Sequence, residues 1–377
     1  MIKIQFFDKA NIDELTWPET HEGQFSKKIL LPMIKNGIEP YFENVKGILS
    51  LILIDGVVLP ITINDCEKDN SYVCSFYSYY IGYGLSSAER IKNRFLRNIV
   101  KATIKSLGTF LKIGKIDKMV SINNWPFSTN IYPALTPPQV AAIRLFMEKK
   151  FPHHAIVFRC INAIDQNSPI NILKKDQFNL IAARQIFVTD PKKKEVFETR
   201  LFKSDLKFLA SANYTLGEID LDNAELSKML SLYNALYVDK YSDVNPRLTE
   251  NFLQLLVENK LFNFKALKKD GKVDAIAGHY SMHGVMTSPF FGYDTSLPQE
   301  TGLYRMLSTA LALDAKNSGH LFHQSSGASF YKSIRKATPS MEYSAVYVKH
   351  LPLNRRFYWK TLKFMINSFG ISWMKKY

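Results

Sequence analysis

Val285-Met286-Thr287-Ser288-Pro289-Phe290-Phe291, then Gly292-Tyr293-Asp294, then Gln299-Glu300-Thr301-Gly302-Leu303-Tyr304-Arg305, is the stretch whose reading decides the fold. An apolar strand ends in a glycine turn, and a helix follows from about residue 302 to 316. That helix presents Leu303, Met306, Leu307, Ala310 and Leu313 on one face, the 3.6-residue spacing of an amphipathic helix. Upstream, strands at 262–268 and 273–282 flank Asp270-Gly271, a two-residue hairpin signal. Downstream come a strand at 320–324, a short helix at 329–336 and a strand at 342–349. Two helices precede the hairpin: 222–237, capped by Asp222 with Glu225, and 246–259, opened by Asn245-Pro246.

The same order occurs earlier in the chain. Strands at 47–53 and 57–63 flank Asp55-Gly56, a third strand is expected at 71–81, and Gly82-Tyr83-Gly84 precedes a helix at 87–107. Its expected apolar face is Ile91, Phe95, Ile99, Thr103 and Leu107, with Ser86 and Glu89 as a capping box. A strand at 118–123, a helix at 137–150 with Thr136 and Gln139 as its capping box, and strands at 155–160 and 182–189 complete this half. A whole series repeated in order predicts two copies of one unit. The expected division is an N-terminal domain 1–205, a C-terminal domain 206–352 with the clearer motif, and a basic aromatic tail 353–377.

Length and composition agree with this. A chain of 377 residues exceeds the usual single domain, and 46% hydrophobic with 22% charged residues is a globular balance. Cys66, Cys74 and Cys160 form no CxxC and no paired framework, so neither a disulfide scaffold nor a zinc site is expected. Residues 1–8 lack a basic-then-apolar leader, and the longest apolar run, 47–63, is too short to span a bilayer. The expectation is a cytoplasmic protein, peripheral on the inner face of the membrane if it engages lipid. The net charge of +15 favours polyanionic partners.

The order helix, helix, hairpin, strand, helix, strand, helix, strand resembles the GNAT acyltransferases. There a central strand leads into a helix that binds the donor's pyrophosphate through a Gln/Arg-x-x-Gly-x-Gly/Ala turn. Gln299 and Gly302 match that turn, and Tyr304 departs from it at the last small position. The tandem arrangement is similar to the Fem-type aminoacyltransferases, whose second copy has a small-residue loop and a Phe-Lys pair. Here Ser325-Ser326-Gly327-Ala328-Ser329-Phe330-Tyr331-Lys332 has that form, with Tyr331 separating Phe330 from Lys332. The resemblance implies an α/β (α+β) protein of two tandem GNAT-like domains, each a mixed, mostly antiparallel central sheet flanked by helices. It implies transfer of an acyl group from acyl-CoA or an acyl carrier protein, a co-substrate rather than a resident cofactor, to an amine.

Candidate residues follow from that chemistry, which needs a donor cradle, a proton acceptor and donors to the oxyanion. Gln299, Thr301, Gly302 and Leu303 open a helix whose N–H groups can hold an anion, and Lys332 with Arg335 can add charge. Tyr331 matches the tyrosine that protonates the leaving thiolate in GNAT enzymes, or else packs in the core. Asp294 can act as base or cap its own turn. His283 and His279, two of a strand's alternating positions, are further candidate bases. His323, Ser325 and Ser326 form a loop of substrate donors, and Asn124, Trp125 and Ser128 lie in the first half's counterpart of that loop. Arg90, Arg94, Arg97, Lys101 and Lys105 make a basic stripe suited to an acidic carrier protein, an anionic membrane or tRNA, or simply a solvated face. Two rival functions stay open: Fem-like transfer from aminoacyl-tRNA, and a catalytically silent GNAT-fold binding protein.

Overall fold

The computed structural model describes residues 2–217 and 223–376. Along the chain run β1 (Ile4–Phe7), α1 (His21–Asn36), β2 (Ile48–Ile54), β3 (Val57–Asp65), a π-helical turn (Ser78–Gly82), α2 (Tyr83–Ala88), α3 (Arg94–Ile113) and β4 (Lys118–Ile122). Next come α4 (Pro137–Lys150), β5 (Ala155–Ile161), α5 (Ile170–Lys175), β6 (Asn179–Thr189), α6 (Lys194–Phe197), α7 (Arg200–Ser211) and β7 (Thr215–Gly217). Then follow α8 (Asn223–Asn234), a π-helical stretch (Ala235–Tyr241), α9 (Glu250–Glu258), β8 (Asn263–Lys269), β9 (Lys272–Met282) and β10 (Val285–Tyr293). The chain closes with α10 (Leu303–Ser318), β11 (Leu321–His323), α11 (Ser329–Ile334), β12 (Thr338–Tyr347), α12 (Leu353–Met365) and α13 (Ile371–Lys376).

Two compact units result. The first comprises residues 2–184, 241–247 and 342–376, and the second comprises 185–217, 223–240 and 248–341. A linear cut at 205/206 and 352/353 does not describe them, because 241–247 and the final strand and helices fold with the N-terminal residues. The first unit orders its strands β1-β2-β3-β4-β5-β12, and the second β11-β10-β9-β8-β7. Both sheets are mixed and mostly antiparallel. In each, two antiparallel strands lead to a third, and a helix then crosses to a fourth strand parallel to it: β4 with β5, and β10 with β11.

The repeat is therefore present, with one change of correspondence. The helix matching α10 is α4, not the helix expected at 87–107. Residues 71–81 form turns and a π-helical turn instead of a strand. Their rings explain the misreading, since Tyr72, Phe76 and Tyr80 are buried as strand residues would be. Phe76, Tyr80 and Ile81 pack with Met119, Val157, Val346 and Trp359. The helix that follows starts only at Arg94, capped by Asn93, whose side chain accepts from the Leu96 N–H. Ser86 caps nothing there; its hydroxyl bonds Gly82 O and meets Ser242. Phe95 and Ile99, expected inside, are 76% and 48% exposed, because only the C-terminal half of α3 meets the body, at Gly108 and Leu111.

Local chemistry explains the rest. Asp55-Gly56 and Asp270-Gly271 both adopt positive φ at both positions, the type I′ geometry matching strand twist. His283-Gly284 does the same between β9 and β10, so His283 sits at a hairpin tip and not on a strand face. Thr136 and Gln139 make the expected capping box of α4. The helix expected at 246–259 begins later, at Glu250 behind a Thr249 cap. Asp222, the expected cap of α8, lies outside the described residues. β5 is buried along its whole length, and its near-continuous apolar run reflects cover on both faces.

Candidate functional site

In the second unit the parallel pair β10/β11 holds only from Val285↔Leu321 to Thr287↔His323. Beyond it, the register of β10 against β9 shifts between Thr287 and Phe290. Pro289 suits this bulge because it has no N–H to donate. Ser288 donates its hydroxyl to Gly278 O at 3.0 Å. Phe290–Tyr293 then pair with β9 on one edge, and among the described residues no strand covers the other. Gly292 lets α8 lie against this strand: a Cβ there would stand 2.6 Å from the Leu232 carbonyl carbon.

The turn after β10 leads to α10. Asp294 accepts from the Ser296 hydroxyl at 2.6 Å and N–H at 2.9 Å. These bonds hold its carboxyl below its ordinary range, which makes Asp294 a turn cap and a weak base. Gln299 is exposed, Thr301 half-buried and Leu303 buried. Gly302 has φ +73° and begins α10, and no side chain caps that helix. Phe208 of α7 lies against Gly302, where a Cβ would meet its ring at 2.5 Å.

Tyr304 lies among Phe291 (5.4 Å between centroids), Tyr293 (6.3 Å) and Tyr331 (5.0 Å), so rings fill the space beside the open β10 edge. Burial raises the Tyr331 phenol to about 12, and the Arg335 guanidinium stacks 3.4 Å from its ring centroid. Buried Asp205 binds Arg305 at 2.5 Å and Arg335 at 2.6 Å, joining α7, α10 and the end of α11.

The loop before α11 is held from within. Lys332 is buried and donates to the carbonyls of Gln324 (2.7 Å), Ser326 (2.9 Å) and Ser325 (3.4 Å). It fastens the loop, while its expected partner at a phosphate, Arg335, is committed to Asp205. His323 is buried and its Nδ1 accepts from the Ser325 N–H at 3.2 Å. Ser325 has φ +58° and Ser326 is exposed. His279 meets Asp314 of α10 at 3.1 Å, a structural tie. His283 lies at the opposite end of β10 from Asp294, so the expected grouping of Asp294, His283 and Tyr331 does not form.

The first unit holds a different arrangement. The parallel pair β4/β5 ends at Ile122↔Phe158, and the loop after β4 turns inward. Asn124 is fully buried: its Nδ2 donates to Thr62 Oγ1 (2.8 Å) and Val73 O (3.0 Å), and its Oδ1 accepts from Arg159 (2.6 Å) and Asn130 (3.1 Å). Trp125 is core, stacked on Phe127 and edge-on to Phe25, with Nε1 bonded to Asn123. The Ser128 carbonyl accepts from Arg184 at 2.6 Å, and Arg184 pairs with buried Glu342 at 2.7 Å. This loop matches the β10–α10 turn by topology, not the Ser325-Ser326 loop.

A small cavity lies in this unit, lined by Tyr72, Phe76, Tyr79, Arg159, Glu342 and Ser344, with Cys160 and Ala183. Arg159 is 5% exposed and donates to two neutral acceptors, Val73 O at 2.7 Å and Asn124 Oδ1. Among the described residues no carboxylate pairs with it. Burial pushes the Cys160 thiol to about 11, so it is no thiolate nucleophile. Arg159, Arg184 and Glu342 were missed in the sequence. The signal was a charge inside an apolar strand, as in Ala155-Ile156-Val157-Phe158-Arg159-Cys160-Ile161, since a charge is buried only with a partner or a purpose.

The two crossover helices also differ at their starts. Pro137 and Pro138 bring no N–H, and the Thr136–Gln139 box caps α4. α10 has neither proline nor cap. Among the described residues no three His, Cys, Asp or Glu side chains gather as metal ligands.

No protein-family model and no curated protein matches this chain. Solved structures do. The structural matches include GNAT-fold proteins. A conserved protein of unknown function from Bacteroides thetaiotaomicron matches 92% of this chain and 100% of its own, at 10% identity and TM-score 0.50. A tandem GNAT protein from the clavulanic acid biosynthesis pathway matches 93% and 99%, at 9% identity and TM-score 0.38. FemX matches 60% and 80%, at 9% identity and TM-score 0.46.

Proposed function

We propose that the chain is an acyltransferase that moves an acyl group from a thioester, acyl-CoA or an acyl carrier protein, to an amine. The observation that carries this reading is the α10 start, an uncapped helix N-terminus with Gly302 at positive φ, together with a β10 stretch of which one edge pairs with no described strand. Free N–H groups at a helix start attract phosphate, and an open strand edge offers N–H groups to a polarised carbonyl. The prolines and cap of α4 remove that option from the first unit. In the reaction the amine nitrogen, having lost a proton, bonds to the carbonyl carbon. The carbon–sulfur bond breaks, and the thiolate takes up a proton.

Binding of CoA to the protein and to Gln299→Glu tests the donor site. Gln299 is exposed, and an acid at a helix start favours the helix while repelling phosphate. The variant should unfold at an unchanged or higher temperature and bind CoA about tenfold more weakly. Equal CoA binding by both proteins, or none by either, removes this reading. One finding favours the silent binding protein instead: Phe208 on Gly302 and the rings around Tyr304 occupy the space a donor would need. A folded protein that releases no thiol from any acyl thioester is its signature.

A further inference from the structure

In the first unit, α3 and the C-terminal helices expose rings and aliphatic side chains among the described residues. Phe95 is 76% exposed, Phe364 64% and Phe369 70%, with Ile99, Phe357 and Trp373 also exposed. The elements adjoin: Phe110 of α3 packs against Tyr358 of α12 at 4.5 Å and Phe357 at 6.0 Å between centroids. Their charge is of one sign. Residues 94–113 carry five Lys or Arg and residues 353–376 carry six, and neither stretch contains an Asp or Glu. Together they hold most of the chain's net +15.

We propose that this surface docks the protein on an anionic lipid bilayer. Exposed apolar groups of this size on a body with a well-filled core mark an interaction site. Basic residues interleaved with Phe, Trp and Ile fit the boundary between headgroups and acyl chains, where the cations meet lipid phosphate and the rings enter the hydrocarbon edge. The aliphatic members decide against RNA, which would use the cations and stack on the rings but give Ile99, Ile113 and Leu353 no partner. Attachment is peripheral, because among the described residues no helix is long and apolar enough to cross a membrane.

Co-sedimentation with vesicles of phosphatidylglycerol and phosphatidylcholine, against phosphatidylcholine alone, tests this. The full chain should sediment with the anionic vesicles only, and binding should fall about tenfold or more at high salt. Trp17, Trp125 and Trp359 are buried and Trp373 is 41% exposed, so quenching by brominated lipid should report Trp373. The double variant Phe364→Ser/Phe369→Ser changes exposed residues only. It should keep its unfolding temperature and lose vesicle binding. No sedimentation, equal sedimentation with neutral vesicles, or undiminished binding by the double variant each overturns the proposal. Tighter binding to tRNA than to anionic vesicles, unchanged in that variant, would assign the surface to RNA and overturn it as well.

Discussion

Replacing Glu342 with Gln removes one charge and almost no volume from the first unit. Glu342 is 2% exposed and accepts from Arg184 Nε at 2.7 Å, while Arg184 also donates to the Ser128 carbonyl. Arg159 lines the same cavity with no carboxylate of its own. The variant therefore leaves two buried guanidinium groups with no negative charge beside them. Breaking one partner of such a pair costs about 3–5 kcal/mol, and the retained amide oxygen places the expected loss near ~3 kcal/mol. Urea unfolding followed by circular dichroism measures it. The double variant Arg184→Met/Glu342→Leu removes both charges and should recover most of the loss, since apolar replacement of a whole buried pair is often close to neutral. A loss under about 1 kcal/mol for Glu342→Gln, or a double variant whose loss equals the sum of the singles, would refute the buried-pair reasoning.

Other consequences are equally open to measurement. Gly302→Ala should lose about 3 kcal/mol from positive φ and from contact with Phe208, and adding Phe208→Ala should restore only the contact part. Lys332→Met should cost about 2–3 kcal/mol by stranding three carbonyls, with faster amide exchange between residues 324 and 327 as the readout. Asp117, which accepts from Ser75 and the Tyr77 N–H, is raised by burial from 3.8 to about 6. Its folded state holds the proton more tightly than the unfolded chain. The stability it confers is thus fullest below pH 4 and declines as pH rises through 6, by about 3 kcal/mol. The stability difference between the protein and Asp117→Asn should follow that curve from pH 4 to 7, and a flat difference would contradict it.

Much of the scaffold was readable in the sequence. Asp55-Gly56 and Asp270-Gly271 declared two hairpins because few other pairs tolerate positive φ twice, and Thr136–Gln139 declared a helix start. Tyr72, Phe76 and Tyr80 misled because strand propensity reports fitness for a half-buried surface, and these rings are buried from a turn and a π-helical segment. The exposed face of α3 misled in the opposite sense: its apolar period is real, yet among the described residues none covers Phe95 and Ile99 in its first half. The charged network was hidden for a different reason. Asn124, Arg159, Arg184 and Glu342 come from β5, β6, β12 and one loop, so no spacing in the chain announces them. Lys332 shows the reverse failure, a basic residue in a plausible phosphate position that its own loop carbonyls satisfy.

Release of free thiol from a panel of acyl thioesters, with and without a panel of amine acceptors, bears most directly on the proposed activity. The account predicts amine-dependent thiol release, slower by about tenfold in Gln299→Glu at limiting thioester. No thiol release with any thioester, or release at an equal rate with and without amine, would contradict it.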